Sequence, residues 1–197
     1  MSLVGQPAPD FALQGYHKGE IKEFKLSDRK GKWTLLLFYP LDFTFVCPTE
    51  VLKFSEAHGE FAKRDCEVFG ISVDSQFVHK AWVDSKFEDG GLGGSLEYPL
   101  LADLGKKAAS DYGVLLEGAG VALRGLFLVN PEGTVVHETT NFLPVGRSAK
   151  EALRVLKAFQ YVAAHGDEVC PADWEEGDDT MKGSTEGMKE YLSSHNG

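Results

Sequence analysis

Apolar and polar residues follow one another along this chain in blocks short enough to read as separate elements. Residues 34–39, TLLLFY, and 67–73, EVFGISV, are nearly continuous apolar runs, the pattern of strands buried on both faces. Between them, Val51, Leu52, Phe54, Ala57 and Phe61 fall on one face of a helix predicted over 48–63, and Pro48 suits its first turn, where a missing N–H costs nothing. Strand, helix and strand make a parallel pair with a right-handed crossover. A second helix is predicted over 75–88, with Phe77, Val78, Ala81 and Trp82 inward, then a short strand at 98–103 and a short helix at 105–112. LRGLFLV (123–129) and TVVHETT (134–140) flank Asn-Pro-Glu-Gly and read as a hairpin. Ser148 and Glu151 have capping-box spacing, opening a helix striped by Ala152, Leu153, Leu156, Phe159, Val162 and Ala163 and ended by Gly166.

Beyond Gly166 the periodicity fades into an acidic, glycine-bearing stretch that reads as an exposed arm, closed by a short helix near 187–192. The predicted fold class is therefore α/β: a mixed sheet with helices on both faces, in a domain over 1–165 with a C-terminal arm over 166–197.

At 197 residues and 43% hydrophobic, the chain can fill one sizeable core. A formal net charge of −10 gives no electrostatic footprint for phosphate backbones, so no nucleic-acid partner is expected. No apolar run reaches the roughly 18 residues of a membrane span, and MSLVGQPAPD lacks the pattern of a secretion signal; a cytoplasmic protein without a membrane partner is predicted. Cys47, Cys66 and Cys170 are too scattered for a disulfide framework and lack C-x-x-C spacing. The six histidines show no metal-ligand spacing, so no metal is expected, and each reads as surface or packing.

Cys47 stands where a strand gives way to a helix. Its sulfur is expected in the first turn, near unpaired N–H groups and the positive end of the helix dipole, which favours a thiolate; a packing cysteine is the alternative from position alone. Pro40, Thr44 and Cys47 form P-x-x-x-T-x-x-C inside FYPLDFTFVCPTE, which resembles the active-site signature of the typical two-cysteine peroxiredoxins. The resemblance continues through VDSQFVHKAW (73–82), ALRGLFLV (122–129), LPVGRS (143–148) and EVCPADW (168–174).

What this resemblance implies is a thioredoxin-like fold and a thiol-dependent peroxidase that reduces hydroperoxides without a cofactor. Cys47 would attack the peroxide, Thr44 hydrogen-bond it, Arg124 act as the essential cationic partner, Arg147 serve as a second active-site arginine and Glu50 orient both arginines. Cys170 matches the resolving cysteine, implying a Cys47–Cys170 disulfide between subunits of a homodimer, assembled further into a decameric ring. Thioredoxin and a flavoprotein disulfide reductase both fit as electron donor. GGLG at 90–93 and Tyr191-Leu192 resemble paired features of peroxide-sensitive members, although the terminal motif there is usually Tyr-Phe. Cys66 matches no catalytic position and reads as structural. The alternative function is a redox-regulated chaperone or peroxide-signalling relay.

Magnitudes limit what thiolate supply explains. A thiol of pKa about 8.5 is about 3% ionised at neutral pH, and lowering it to about 6 takes roughly 3.4 kcal/mol for roughly thirtyfold more thiolate. A helix terminus contributes about 0.3–1 kcal/mol, up to about 2, so a nearby cation is needed. Nucleophilicity falls along with pKa and returns roughly tenfold of that gain. The larger acceleration must come from binding the attack geometry.

Overall fold

The computed structural model describes residues 2–195, and the chain divides into two compact units, Met1–Ala149 and Lys150–Gly197. In the first, β1 (Ala12–His17), β2 (Glu20–Lys25), β3 (Trp33–Phe38), α1 (Cys47–Glu56), α2 (His58–Ala62), β4 (Cys66–Ser72), α3 (Gln76–Asp84), β5 (Leu100–Ala102), α4 (Lys107–Asp111), β6 (Leu115–Leu116), β7 (Val121–Ala122), β8 (Arg124–Val129) and β9 (Val135–Asn141) are arranged in that chain order. Seven of them form one sheet, β2-β1-β5-β4-β3-β8-β9. It is mixed: β3 pairs parallel with β4 and β4 with β5, while β8 runs antiparallel to both β3 and β9.

The central strands are buried on both faces, as the apolar runs predict. Leu36 and Phe38 of β3 join Phe69, Ile71, Phe127 and Val129 in one apolar cluster with Ala108, Ala109 and Tyr112 from and beside α4. Leu35 and Leu37 point the other way by strand alternation and are equally buried. There α2 packs against β4 and α3 against β1 and β5. The strand, helix and strand expected around Cys47 are thus in place, and α1 starts at Cys47 itself.

Two local expectations need correction, and one hairpin is additional. The helix predicted over 48–63 is two, broken at Ala57, whose ψ of −6° tightens the turn between α1 and α2. The inward side of α3 is His79, Trp82 and Val83, whereas Phe77, Val78 and Ala81 are exposed. The phase is set by Ser75, whose Oγ accepts the Val78 N–H and caps the helix; the inward stripe then includes a polar residue, which a purely apolar pattern skips. The β1–β2 hairpin at the sheet edge was not predicted. Its two-residue turn, Lys18-Gly19, has φ of 47° and 91°, the left-handed pair that matches strand twist.

The second unit holds α5 (Ala149–Ala164), β10 (Glu168–Val169), β11 (Met181–Lys182) and α6 (Thr185–His195). The acidic stretch is more ordered than its composition suggests, since β10 and β11 pair antiparallel. The unit begins at Lys150, upstream of the 165/166 boundary, because α5 is tied to the segment on its C-terminal side: Arg154 Nη1 donates to the Trp174 carbonyl at 2.9 Å and Tyr161 Oη to Glu168 at 2.6 Å. On α5, Val155 is buried and Ala163 exposed, shifting the expected stripe toward the N-terminal turns.

Candidate active site

Cys47 is the first residue of α1, and Pro48 comes next in the first turn. The Thr49 and Glu50 N–H groups both turn back to the Val46 carbonyl, at 3.1 and 3.3 Å, so the expected unpaired backbone donors around the sulfur are largely absent. The donors to Cys47 Sγ are side chains instead. Thr44 Oγ1 lies 3.0 Å away and Arg124 Nη1 3.4 Å away. Thr44 Oγ1 also lies 2.8 Å from the Leu41 carbonyl. Its single proton serves one acceptor at a time: the carbonyl while the sulfur keeps its own proton, the sulfur once that proton has gone.

Glu50, one turn along α1, organises both cations. Its Oε2 accepts from Arg124 Nη1 at 2.5 Å, and its Oε1 accepts from Arg147 Nε at 2.7 Å and from the Arg147 N–H at 2.8 Å. Arg124 Nε donates to the Leu143 carbonyl at 2.6 Å, and Arg147 Nη1 to the Gly125 carbonyl at 2.6 Å. All three side chains are nearly inaccessible. Burial lowers the proton affinity of the Arg147 guanidinium, while its bonds to Glu50 work against that loss. One carboxylate against two guanidinium groups leaves an excess positive charge beside Cys47 Sγ that a negative charge would balance. Such a balance matters because uncompensated buried charge is costly.

The structure therefore gathers Thr44, Cys47, Glu50, Arg124 and Arg147 into one hydrogen-bonded cluster. Pro40 is buried two residues past the end of β3, upstream of the loop that carries Thr44. Cys170 lies in the second unit, half-buried, with its thiol free and directed at the Ala158 carbonyl at 3.8 Å; burial pushes that thiol up from the usual range. Cys66 is a buried free thiol at the start of β4, pushed far up, first by burial and then by neighbouring carboxylates.

A second polar network adjoins this cluster, and sequence reasoning missed it. Tyr39 Oη donates to Asp42 Oδ1 at 2.8 Å, and His79 Nδ1 lies 2.7 Å from Asp42 Oδ2. Burial raises Asp42, and burial together with Asp42 raises Tyr39 well above its usual range, so Tyr39 stays a donor. The available signal was position: Tyr39 and Asp42 lie inside FYPLDFTFVCPTE, and His79 inside VDSQFVHKAW.

The profile of the AhpC/TSA family matches residues 4–138, and that described as the C-terminal domain of 1-Cys peroxiredoxin matches 158–194. Peroxiredoxin-2 of Bos taurus is 55% identical over 193 residues, 98% of this chain and 96% of that protein. Peroxiredoxin tpx1 of Schizosaccharomyces pombe is 54% identical over 196 residues, 99% of this chain and all of that one. Among solved structures, reduced 2-Cys peroxiredoxin of Plasmodium vivax superposes with a TM-score of 0.95 at 40% identity, covering 98% of this chain and 100% of its own. The thioredoxin-like fold and the thiol-dependent peroxidase activity implied by the sequence are those of these relatives, and the peroxidase is favoured over the chaperone or relay reading. With a half-buried threonine and a buried guanidinium converging on one sulfur, and relatives matching over nearly its full length, the chain belongs to the AhpC/TSA family of peroxiredoxins, enzymes that reduce peroxides with a cysteine thiol.

Proposed function

We propose that Cys47 is the sulfur that attacks the hydroperoxide, and the observation that carries this is the convergence of Thr44 Oγ1 and Arg124 Nη1 on its Sγ. Thiolate attacks one peroxide oxygen, the O–O bond breaks, and the departing oxygen takes a proton, giving Cys–SOH and water or an alcohol. Thr44 hydrogen-bonds the bound peroxide. Arg124 stabilises charge that builds on the departing oxygen, where a preorganised donor acts most strongly. Glu50 holds Arg124 and Arg147 in register.

Cys170 then attacks the sulfenic sulfur: Cys–SOH and HS–Cys give a disulfide and water. A surface-reaching thiol in a polar segment supports this role, whereas Cys66 is enclosed at the foot of β4. The reading extends to an intersubunit disulfide in a homodimer, assembled into a decameric ring. Phe45 (93% exposed), Phe77, Phe87 and Phe142 are exposed aromatic rings open to a subunit contact. A dithiol donor, thioredoxin or a flavoprotein disulfide reductase, returns both sulfurs to thiols. The site of action is the cytoplasm, where such donors keep free thiols like the three here reduced.

The test is non-reducing mass analysis after one equivalent of hydrogen peroxide. A Cys47–Cys170 linkage between two 21.6 kDa chains, with Cys66 alkylatable after unfolding, is expected. A monomer whose new bond includes Cys66 overturns the assignment.

A further inference from the structure

Cys47 Sγ is fully buried, whereas a disulfide needs two sulfurs about 2 Å apart. After oxidation, the loop and first turn carrying Cys47 must therefore open. On the upstream side that opening is opposed by a network the chemistry itself does not use. Both carboxylate oxygens of Asp42 are occupied, by Tyr39 Oη and by His79 Nδ1, and the Asp42 and His79 side chains are wholly inaccessible. The Asp42 N–H is held as well, by Asp74 Oδ2 at 2.9 Å, which also accepts from Ser72 Oγ at 2.8 Å.

Nδ1 of His79 faces Asp42 Oδ2, and Nε2 is buried without a partner among the described residues. The imidazole rides on α3, and the same helix is gripped by the Gly90–Gly93 turn: Trp82 Nε1 donates to the Gly90 carbonyl at 3.0 Å and the Leu92 N–H to the Trp82 carbonyl at 2.9 Å. Immediately after Asp42, Phe43 has φ of +53°, a region that bulky L-residues avoid. Its ring lies 6.2 Å from Trp82. The loop is thus strained beside its anchor, and the strain favours release while the anchor opposes it.

We propose that Tyr39, Asp42 and His79 form a positioning anchor that keeps the Cys47 loop closed after oxidation, and so set how long the sulfenic acid stays beyond reach of the second thiol. This rests on the reading of Cys47 as the attacking sulfur and Cys170 as its partner. Two reactions compete for the sulfenic acid. In the closed site, Cys–SO⁻ and a second ROOH give Cys–SO₂⁻ and ROH; in the open one, Cys–SOH and HS–Cys give a disulfide and water. Losing a hydrogen bond to a charged group shifts such an opening equilibrium roughly tenfold to a hundredfold.

The experiment compares His79→Leu with His79→Asn in the full chain, because the Asn side-chain amide N–H stands where Nδ1 stands and keeps the bond to Asp42. Disulfide formation is followed by stopped-flow tryptophan fluorescence, and sulfinic acid per turnover by intact mass. His79→Leu is expected to form the disulfide at least tenfold faster and to need at least tenfold more peroxide for half-inactivation, with His79→Asn close to the parent. Equal behaviour of the two variants, or an unchanged rate in His79→Leu, overturns the anchor. If His79→Leu does not fold, Tyr39→Phe carries the same test: a severalfold gain supports the anchor and no change refutes it. Failure of the underlying reading is distinguishable, since Cys47→Ser would then still consume peroxide.

Discussion

Replacing Arg124 separates electrostatics from simple packing. Its guanidinium serves three acceptors at once: Cys47 Sγ at 3.4 Å, Glu50 Oε2 at 2.5 Å and the Leu143 carbonyl at 2.6 Å. A cation 3.4 Å from an ionised sulfur is worth about 5 kcal/mol at an effective dielectric of about 20. The Glu50 carboxylate offsets part of this, leaving roughly 3–4 kcal/mol, the range found for a single preorganised donor at a developing charge. Arg124→Ala is therefore expected to slow sulfenic acid formation by about 10²–10³-fold. Arg124→Lys keeps a charge but has one nitrogen, which Glu50 competes for, and a loss of about tenfold is expected. Stopped-flow oxidation at several peroxide concentrations gives the second-order constants, and thermal melts confirm folding. Glu50 retains Arg147, so the alanine variant should remain folded with Tm lower by several degrees. A folded Arg124→Ala protein within tenfold of the parent rate would refute the electrostatic argument.

Thr44→Val removes the donor to Cys47 Sγ and is expected to cost about tenfold to a hundredfold in peroxide reaction, with Thr44→Ser within a few-fold, measured by the same stopped-flow assay. In the Cys47→Ser background, iodoacetamide labelling of Cys170 should keep rising with pH beyond the usual thiol range, because burial pushes that thiol up, while Cys66 stays unlabelled until the protein unfolds; comparable labelling of Cys66 in the native protein contradicts this. A Cβ at Gly91 would meet the Ser85 carbonyl oxygen at 2.2 Å, and one at Gly59 in α2 would meet nothing within 4 Å. Gly91→Ala should therefore lower Tm by roughly 4–10 °C and Gly59→Ala raise it by roughly 2–4 °C, read by calorimetry.

What the sequence made legible was mostly local. The strand, the helix start at Cys47 and the flanking Thr44 and Glu50 all lie between Trp33 and Glu50, where apolar runs and a first-turn proline speak directly. Arg124 and Arg147 reach the sulfur and Glu50 from 77 and 97 residues away, and no local pattern specifies such a meeting; only the family resemblance pointed to them. The face of α3 was misread for a related reason. Its buried position His79 is polar and its exposed positions Phe77 and Val78 are apolar, so a rule that sorts by hydrophobicity turns the helix the wrong way. Burial of His79 is made tolerable by Asp42, a partner on a different element that period alone does not reveal.

The same distant pairings explain why the site can hold tightly and still open. On the proposed mechanism, peroxide attack needs Thr44 and Arg124 fixed about Cys47 Sγ, whereas disulfide formation needs that sulfur released. Glu50 ties the downstream side to two arginines and the Arg147 backbone, and Asp42 ties the upstream side to Tyr39, His79 and Asp74. Glu50 is bound to Arg124, the group proposed above to act on the peroxide, so on that mechanism loosening it would slow attack along with closure. Asp42 is bound to residues that do not touch the sulfur. The upstream tie is therefore the one whose strength can change the balance between resolution and over-oxidation while the attack geometry around Cys47 is preserved.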